Sequence, residues 1–140
     1  MFSPLIESMI EQYEYPIISK ENLDEFAASH EIVVLFFTEN AQRFPEANDV
    51  AIILPELVKT FDGKFSAAVV AFADQRQLQM CYGFREWPTL LFLKNGEYLG
   101  VISQVQDWGY YLEEINQILA SEPSKPPRVV VPISTCNSNA

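Results

Sequence analysis

The chain has 140 residues, with 19 acidic side chains against 9 basic ones and a formal charge of −10. That length suits one domain around a single core, and the absence of a long apolar run leaves no candidate for a membrane-spanning helix. A surface this negative repels nucleic-acid phosphates and anionic lipid headgroups and favours a basic partner at low ionic strength, although many proteins are acidic for solubility alone. The opening residues carry Glu7 and Glu11 and no Lys or Arg, which does not fit a secretory signal peptide. Two cysteines, Cys81 and Cys136, lie far apart; they do not read as a disulfide framework and suit a reducing cytoplasm.

Residues 4–13 place Leu5, Ile6, Met9, Ile10 and Tyr13 at helical spacing opposite Glu7 and Glu11. Ser3 is a suitable cap, and Pro4 suits the first helical position. A short extended piece follows over 15–18. A second helix is expected from a Ser19 cap to about residue 29, with Leu23, Phe26 and Ala27 facing inward. Up to Glu31 there are seven acidic residues and one lysine, Lys20, which reads as a solvated helix face. The run IVVLFF within 31–38 is unbroken, β-branched and aromatic, as a strand covered on both faces requires. A polar segment over 38–45 ends it. The next helix runs to Phe61, with Ile52, Ile53, Leu57 and Val58 apolar and an internal Pro55 expected to kink it.

A strand over 64–72 and a short helix ending at Cys81 come next, the latter with Leu78 and Met80 as packing positions. Residues 89–93 are too short an apolar run for a helix, and Asn95-Gly96 supplies the positive φ of a two-residue hairpin turn. A partner strand over 97–103 follows. The last helix, capped by Asp107, carries Trp108, Tyr111, Leu112, Ile115, Ile118 and Leu119 as an apolar stripe. The domain is thus expected over 1–120. Residues 121–140 hold Pro123, Pro126, Pro127 and Pro132 and end in small polar residues, an extended and largely disordered tail. Its Val129-Val130-Val131 is a patch able to dock on an edge or a partner.

Tyr82-Gly83-Phe84, Trp87-Pro88-Thr89 and Lys94-Asn95-Gly96, taken together, are similar to the second half of thioredoxin-like proteins. The resemblance implies an α/β thioredoxin-like fold, a mixed central sheet flanked by helices, here with an extra N-terminal helix. It also implies that Pro88 is cis and faces whatever the domain binds. In redox-active members two cysteines sit where a strand meets a helix, and the helix dipole lowers a thiol pKa. Here that position is Ala41-Gln42-Arg43-Phe44, and the family's buried aspartate corresponds to Leu35. Disulfide exchange at the usual site is therefore excluded.

Cys81 reads as an inert packed thiol and the lone His30 as a helix C-terminal cap. No zinc set, phosphate loop or Ser-His-Asp set is present in the sequence, so no cofactor, metal or catalytic residue is expected. What remains is binding apparatus. The backbone of Trp87 would offer an edge to an extended peptide, with Phe44 and Trp87 as flanking apolar surface. Glu39, Glu46, Asp49 and Glu86 would bound the groove and pair with Arg or Lys. Trp87 packed beneath the hairpin, and the carboxylates as ordinary solvated surface, are the alternatives.

Arg43-Phe44-Pro45-Glu46 with Asp49, Leu54-Pro55-Glu56-Leu57 and Phe84-Arg85-Glu86-Trp87-Pro88-Thr89 resemble a cysteine-free branch of that superfamily. This is the hydrogenase expression or operon protein family, encoded with bacterial uptake nickel–iron hydrogenases. The resemblance spans roughly 31–119. It implies a non-enzymatic cytoplasmic maturation chaperone that binds the twin-arginine signal peptide of the hydrogenase small-subunit precursor, with other hydrogenase-assembly proteins as further partners. A scaffold in the assembly complex, or a monothiol redox protein using Cys81, are the competing expectations.

Overall fold

The computed structural model describes residues 2–126. Its helices are α1 (Pro4–Tyr13), α2 (Leu23–Ser29), α3 (Glu46–Thr60), α4 (Gln75–Tyr82) and α5 (Trp108–Ala120). Its strands are β1 (Ile17–Ile18), β2 (Ile32–Phe37), β3 (Ser66–Val70), β4 (Thr89–Lys94) and β5 (Glu97–Ser103). The strands form one sheet in the order β1-β3-β2-β4-β5. β1, β3 and β2 run parallel, whereas β4 and β5 are antiparallel additions. The expected mixed sheet, with helices on both faces and an extra helix at the amino end, is the one observed.

The strand repeat of two sorts the central residues between two cores. Val34, Phe36, Val69, Leu90 and Phe92 face one way, under α1, α3 and α5, with Ile6, Leu54, Tyr111 and Ile115. Val33, Leu35, Phe37, Val70, Leu91 and Leu93 face the other, under α2 and α4, with Leu23, Leu78, Phe84 and Trp87. β2 is buried along both faces, Val33 to Phe37 being at most 1 % exposed. This accounts for its unalternated apolar sequence.

Local chemistry sets the boundaries. Ser3 Oγ accepts from the Ile6 N–H at 3.2 Å, with Pro4 inside the first turn of α1. α2 begins later than expected, because Ser19 and Asn22 bond each other: the Ser19 N–H donates to Asn22 Oδ1 at 2.8 Å. That reciprocal turn occupies the residues assigned to the helix's first turn. α3 runs continuously through the buried Pro55. Asn95 and Gly96 turn the β4–β5 hairpin with φ of 51° and 84°. Met80 and Trp108, expected to pack, are instead 40 % and 42 % exposed. Each lies at the margin of its helix's buried stripe, where α4 buries Leu78 and Cys81 and α5 buries Tyr111, Ile115 and Ile118. The described part of the C-terminal segment includes Ser124, which pairs antiparallel with Tyr98. The disorder expected further along falls on residues outside those described.

Candidate functional site

β2 ends at Phe37, whose register partner is Thr89, the first residue of β4. The segments 38–45 and 83–88 therefore meet at one end of the sheet. The Trp87–Pro88 peptide bond is cis. Its surroundings are held from several sides. Thr89 Oγ1 donates to the Glu86 carbonyl at 2.6 Å and lies 2.7 Å from Ser103 Oγ. The Gln104 N–H donates to the Pro88 carbonyl at 2.6 Å, from a residue with φ of 62°.

The opposing loop is fastened by a side chain from α4. Gln75 is 1 % exposed. Its Oε1 accepts from the Glu39 N–H at 2.6 Å, and its Nε2 donates to Thr38 Oγ1 and to the Val70 carbonyl, each at 3.0 Å. One carboxamide thus ties the ends of β2 and β3 to the start of α4. Glu39, at φ 49°, turns its carboxylate back onto the loop, accepting from the Asn40 N–H at 2.9 Å and from Arg76 Nε at 3.0 Å. Asn40 Oδ1 accepts from the Gln42 N–H, and the Asn40 carbonyl accepts from Arg43 and Phe44. The segment standing where a reactive pair would sit is a tightly hydrogen-bonded turn.

The sequence-derived residues divide. Trp87 is 8 % exposed and packs edge-on against Phe84 at 5.4 Å and tilted against Phe37 at 6.3 Å. Its side chain is part of the core beneath the hairpin, so the apolar wall expected of it is not available; only its backbone remains for a ligand. Pro88 is likewise buried. Phe44 is half-buried and packs against that same core cluster, with the Arg43 guanidinium 5.6 Å over its ring. Glu46, Asp49 and Glu86 are exposed. Glu39 departs from expectation: it is 6 % exposed and already paired, so it is a loop fastener and not a free surface carboxylate.

Glu46 and Asp49 occupy the first turn of α3, where the helix dipole favours carboxylates. Ile52, 59 % exposed, and the exposed Glu56 continue that face at spacings of three and four residues. The result is an acidic strip with an apolar residue in its middle. On the other side of the loop lies a hollow of about 370 Å³ lined by Phe2, Ser3, Asn40, Gln42 and Asn48 among others. Ser3 Oγ donates to Asn48 Oδ1 there, tying α1 to α3.

A protein-family model described as Hydrogenase-1 expression protein HyaE matches residues 5–111. The chain belongs to the HyaE family. The hydrogenase expression/formation protein HoxO of Azotobacter vinelandii is 47 % identical over 131 residues, covering 94 % of this chain and 88 % of that one. The crystal structure of the hydrogenase expression/formation protein hupG of Rhodopseudomonas palustris aligns with a TM-score of 0.54 at 42 % identity, over 75 % of this chain and 95 % of the other. A mutant thioredoxin from Halobacterium salinarum aligns with a TM-score of 0.62 at 17 % identity, over 78 % and 93 % of the two chains. That last likeness establishes the thioredoxin-like fold alone.

In this HyaE-family chain the groups considered for chemistry have structural settings. His30 closes α2, its Nδ1 lying 3.1 Å from the Phe26 carbonyl and its ring 4.8 Å from the Phe26 ring. Cys81 is 5 % exposed in the last turn of α4 and is not a free thiol, which corrects the expectation of an inert thiol. Among the described residues no helix is long and apolar enough to cross a membrane. Sequence reasoning missed Gln75, Asn40 and Asn48. Each is an uncharged amide whose role depends on how the loop folds or on a remote segment, so no local pattern marks it.

Proposed function

We propose that this chain is a non-catalytic chaperone in hydrogenase maturation, binding in the cytoplasm the twin-arginine signal peptide of the small-subunit precursor of an uptake nickel–iron hydrogenase. Membership of a hydrogenase expression family supports the pathway, and relatives carry the description hydrogenase expression/formation protein. The observation that carries the peptide reading is the strip on α3: Glu46 and Asp49 exposed beside the loop, with Ile52 standing clear of the surface. A twin-arginine leader is cationic and then apolar, and this strip is complementary to both halves. Phe44, Glu86 and the backbone at Trp87–Pro88 extend the surface across the loop. The turn at Ala41–Phe44 has no sulfur, so a bound client would be held without covalent exchange.

The test is a calorimetric titration of the full chain with a synthetic small-subunit leader. A second leader with its arginine pair changed to glutamines, and the chain variant Glu46→Lys/Asp49→Lys, complete the set. Each exposed charge pair contributes up to about 1 kcal/mol, so the double reversal is expected to weaken binding about tenfold. Higher salt should weaken it further. Equal affinity for both leaders would exclude leader recognition. Binding of the folded subunit with indifference to the leader would favour a scaffold.

A further inference from the structure

The end of the sheet away from Pro88 carries a second concavity, of about 530 Å³. Leu23 of α2, Leu78 and Tyr82 of α4 and Tyr98 of β5 give it an apolar floor, and the charged residues that line it, Asp24 and Glu97 with Lys20 and Lys125, balance one another. The described chain ends inside it. Pro123 to Pro126 form part of its wall, and the Ser124 N–H donates to the Tyr98 carbonyl at 2.9 Å, starting an antiparallel addition to β5. Fourteen further residues follow, 127–140, and they open with Pro127-Arg128 and the run Val129-Val130-Val131-Pro132-Ile133. The floor matches that run in polarity. Cys81 lines the concavity and is not a free thiol. Cys136 is the chain's other cysteine, ten residues beyond Pro126. Extended chain of that length spans up to roughly 33 Å, and Pro126 and Cys81 line the same concavity.

We propose that this groove is the docking site of the chain's own residues 127–140, with the valine run on Leu23, Leu78 and Tyr82 and with Cys136 brought to Cys81. The groove lies at the opposite end of the sheet from the cis proline, so this assignment stands or falls separately from leader binding.

Sulfur proximity provides the readout. The chain is first reduced with excess dithiothreitol, which is itself oxidised to its cyclic disulfide and then removed. In a buffer of reduced and oxidised glutathione, the Cys81 and Cys136 thiols so formed give up two protons and two electrons. The S–S bond of glutathione disulfide takes them and leaves as two glutathione thiols, while a bond forms between the two protein sulfurs. Acid quenching, alkylation and peptide mass mapping then give the linked fraction, and from it the effective concentration of one thiol at the other. The full chain is compared with Val130→Asp and with Ser138→Asp, which adds the same charge outside the apolar run. Burying a charge in place of a valine is expected to lower the effective concentration about tenfold or more, while Ser138→Asp leaves it unchanged. Failure of the unsubstituted chain to link, equal linking in Val130→Asp, or an equal loss in Ser138→Asp would each overturn the assignment and give the groove to another occupant.

Discussion

Gln75 is the residue on which the loop's position most depends, and Gln75→Leu isolates its role because leucine keeps the volume and removes the polar atoms. The substitution withdraws an acceptor from the Glu39 N–H and a donor from the Val70 carbonyl, formerly at 2.6 Å and 3.0 Å, and also frees Thr38 Oγ1. The Thr38 hydroxyl can rotate to another partner; the two backbone groups cannot. Each buried backbone group left without a partner costs about 1–3 kcal/mol. The more apolar side chain offsets part of that, leaving a net loss of about 2–4 kcal/mol. For a chain of this length that corresponds to a fall of roughly 6–12 °C in Tm. Urea unfolding followed by tryptophan fluorescence, with contributions from the buried Trp87 and the exposed Trp108, measures it. Leader affinity should fall as well, because Glu39 and Asn40 lose their anchor. A loss below about 1 kcal/mol with unchanged loop exchange rates would refute the clamp.

Three further outcomes follow from the packing. Burial, followed by the nearby Asp24 carboxylate, pushes the Tyr82 phenol from 10.0 up to about 12. The folded state therefore holds this proton where the unfolded chain releases it. The stability it contributes is complete below pH 10.0 and is lost as pH rises towards about 12. The slope is about 1.4 kcal/mol per pH unit, and Tyr82→Phe should flatten that part of a urea-midpoint profile. Gly100→Ala would put a Cβ 3.0 Å from Ile118 Cγ1, so that side chain must give by a few tenths of an ångström, and it is buried at 6 % exposure; a thermal melt should show a loss of about 1 kcal/mol. Trp87→Ala should cost about 3–5 kcal/mol in urea. Trp87→Phe should keep most of that stability and retain leader binding, since the indole lies in the core; loss of binding in a folded Trp87→Phe would return the ring to the groove.

The parts of the fold legible in the sequence are those whose determinants are local. α1 is bounded by Ser3 and Pro4, β2 by an apolar run with no polar interruption, and the β4–β5 hairpin by Asn95-Gly96. The start of α2 is ambiguous because Ser19 has two local uses, helix cap or turn, and the side chain of Asn22 decides between them. Met80 and Trp108 have helical spacing, but spacing alone does not say where the covering sheet ends. At the site, the carboxylates of α3 could be found because charge in a first turn is a local signal. The burial of Trp87 could not, since it depends on Phe37, a full fifty residues earlier in the chain. The Gln75 clamp is the extreme case: Thr38 and Glu39 lie 37 and 36 residues away, and nothing in the identity of a glutamine announces such partners.

The margins of the sheet bear on how copies of the chain meet one another. At one side the outermost strand is only two residues long, too short a template for another molecule's backbone. At the other, β5 already shares its outer rim with Ser124 at Tyr98. Edge-to-edge polymerisation, the usual hazard of an open sheet, is thus discouraged along the whole of the first flank and, on the second, at the hairpin end where Ser124 already occupies Tyr98.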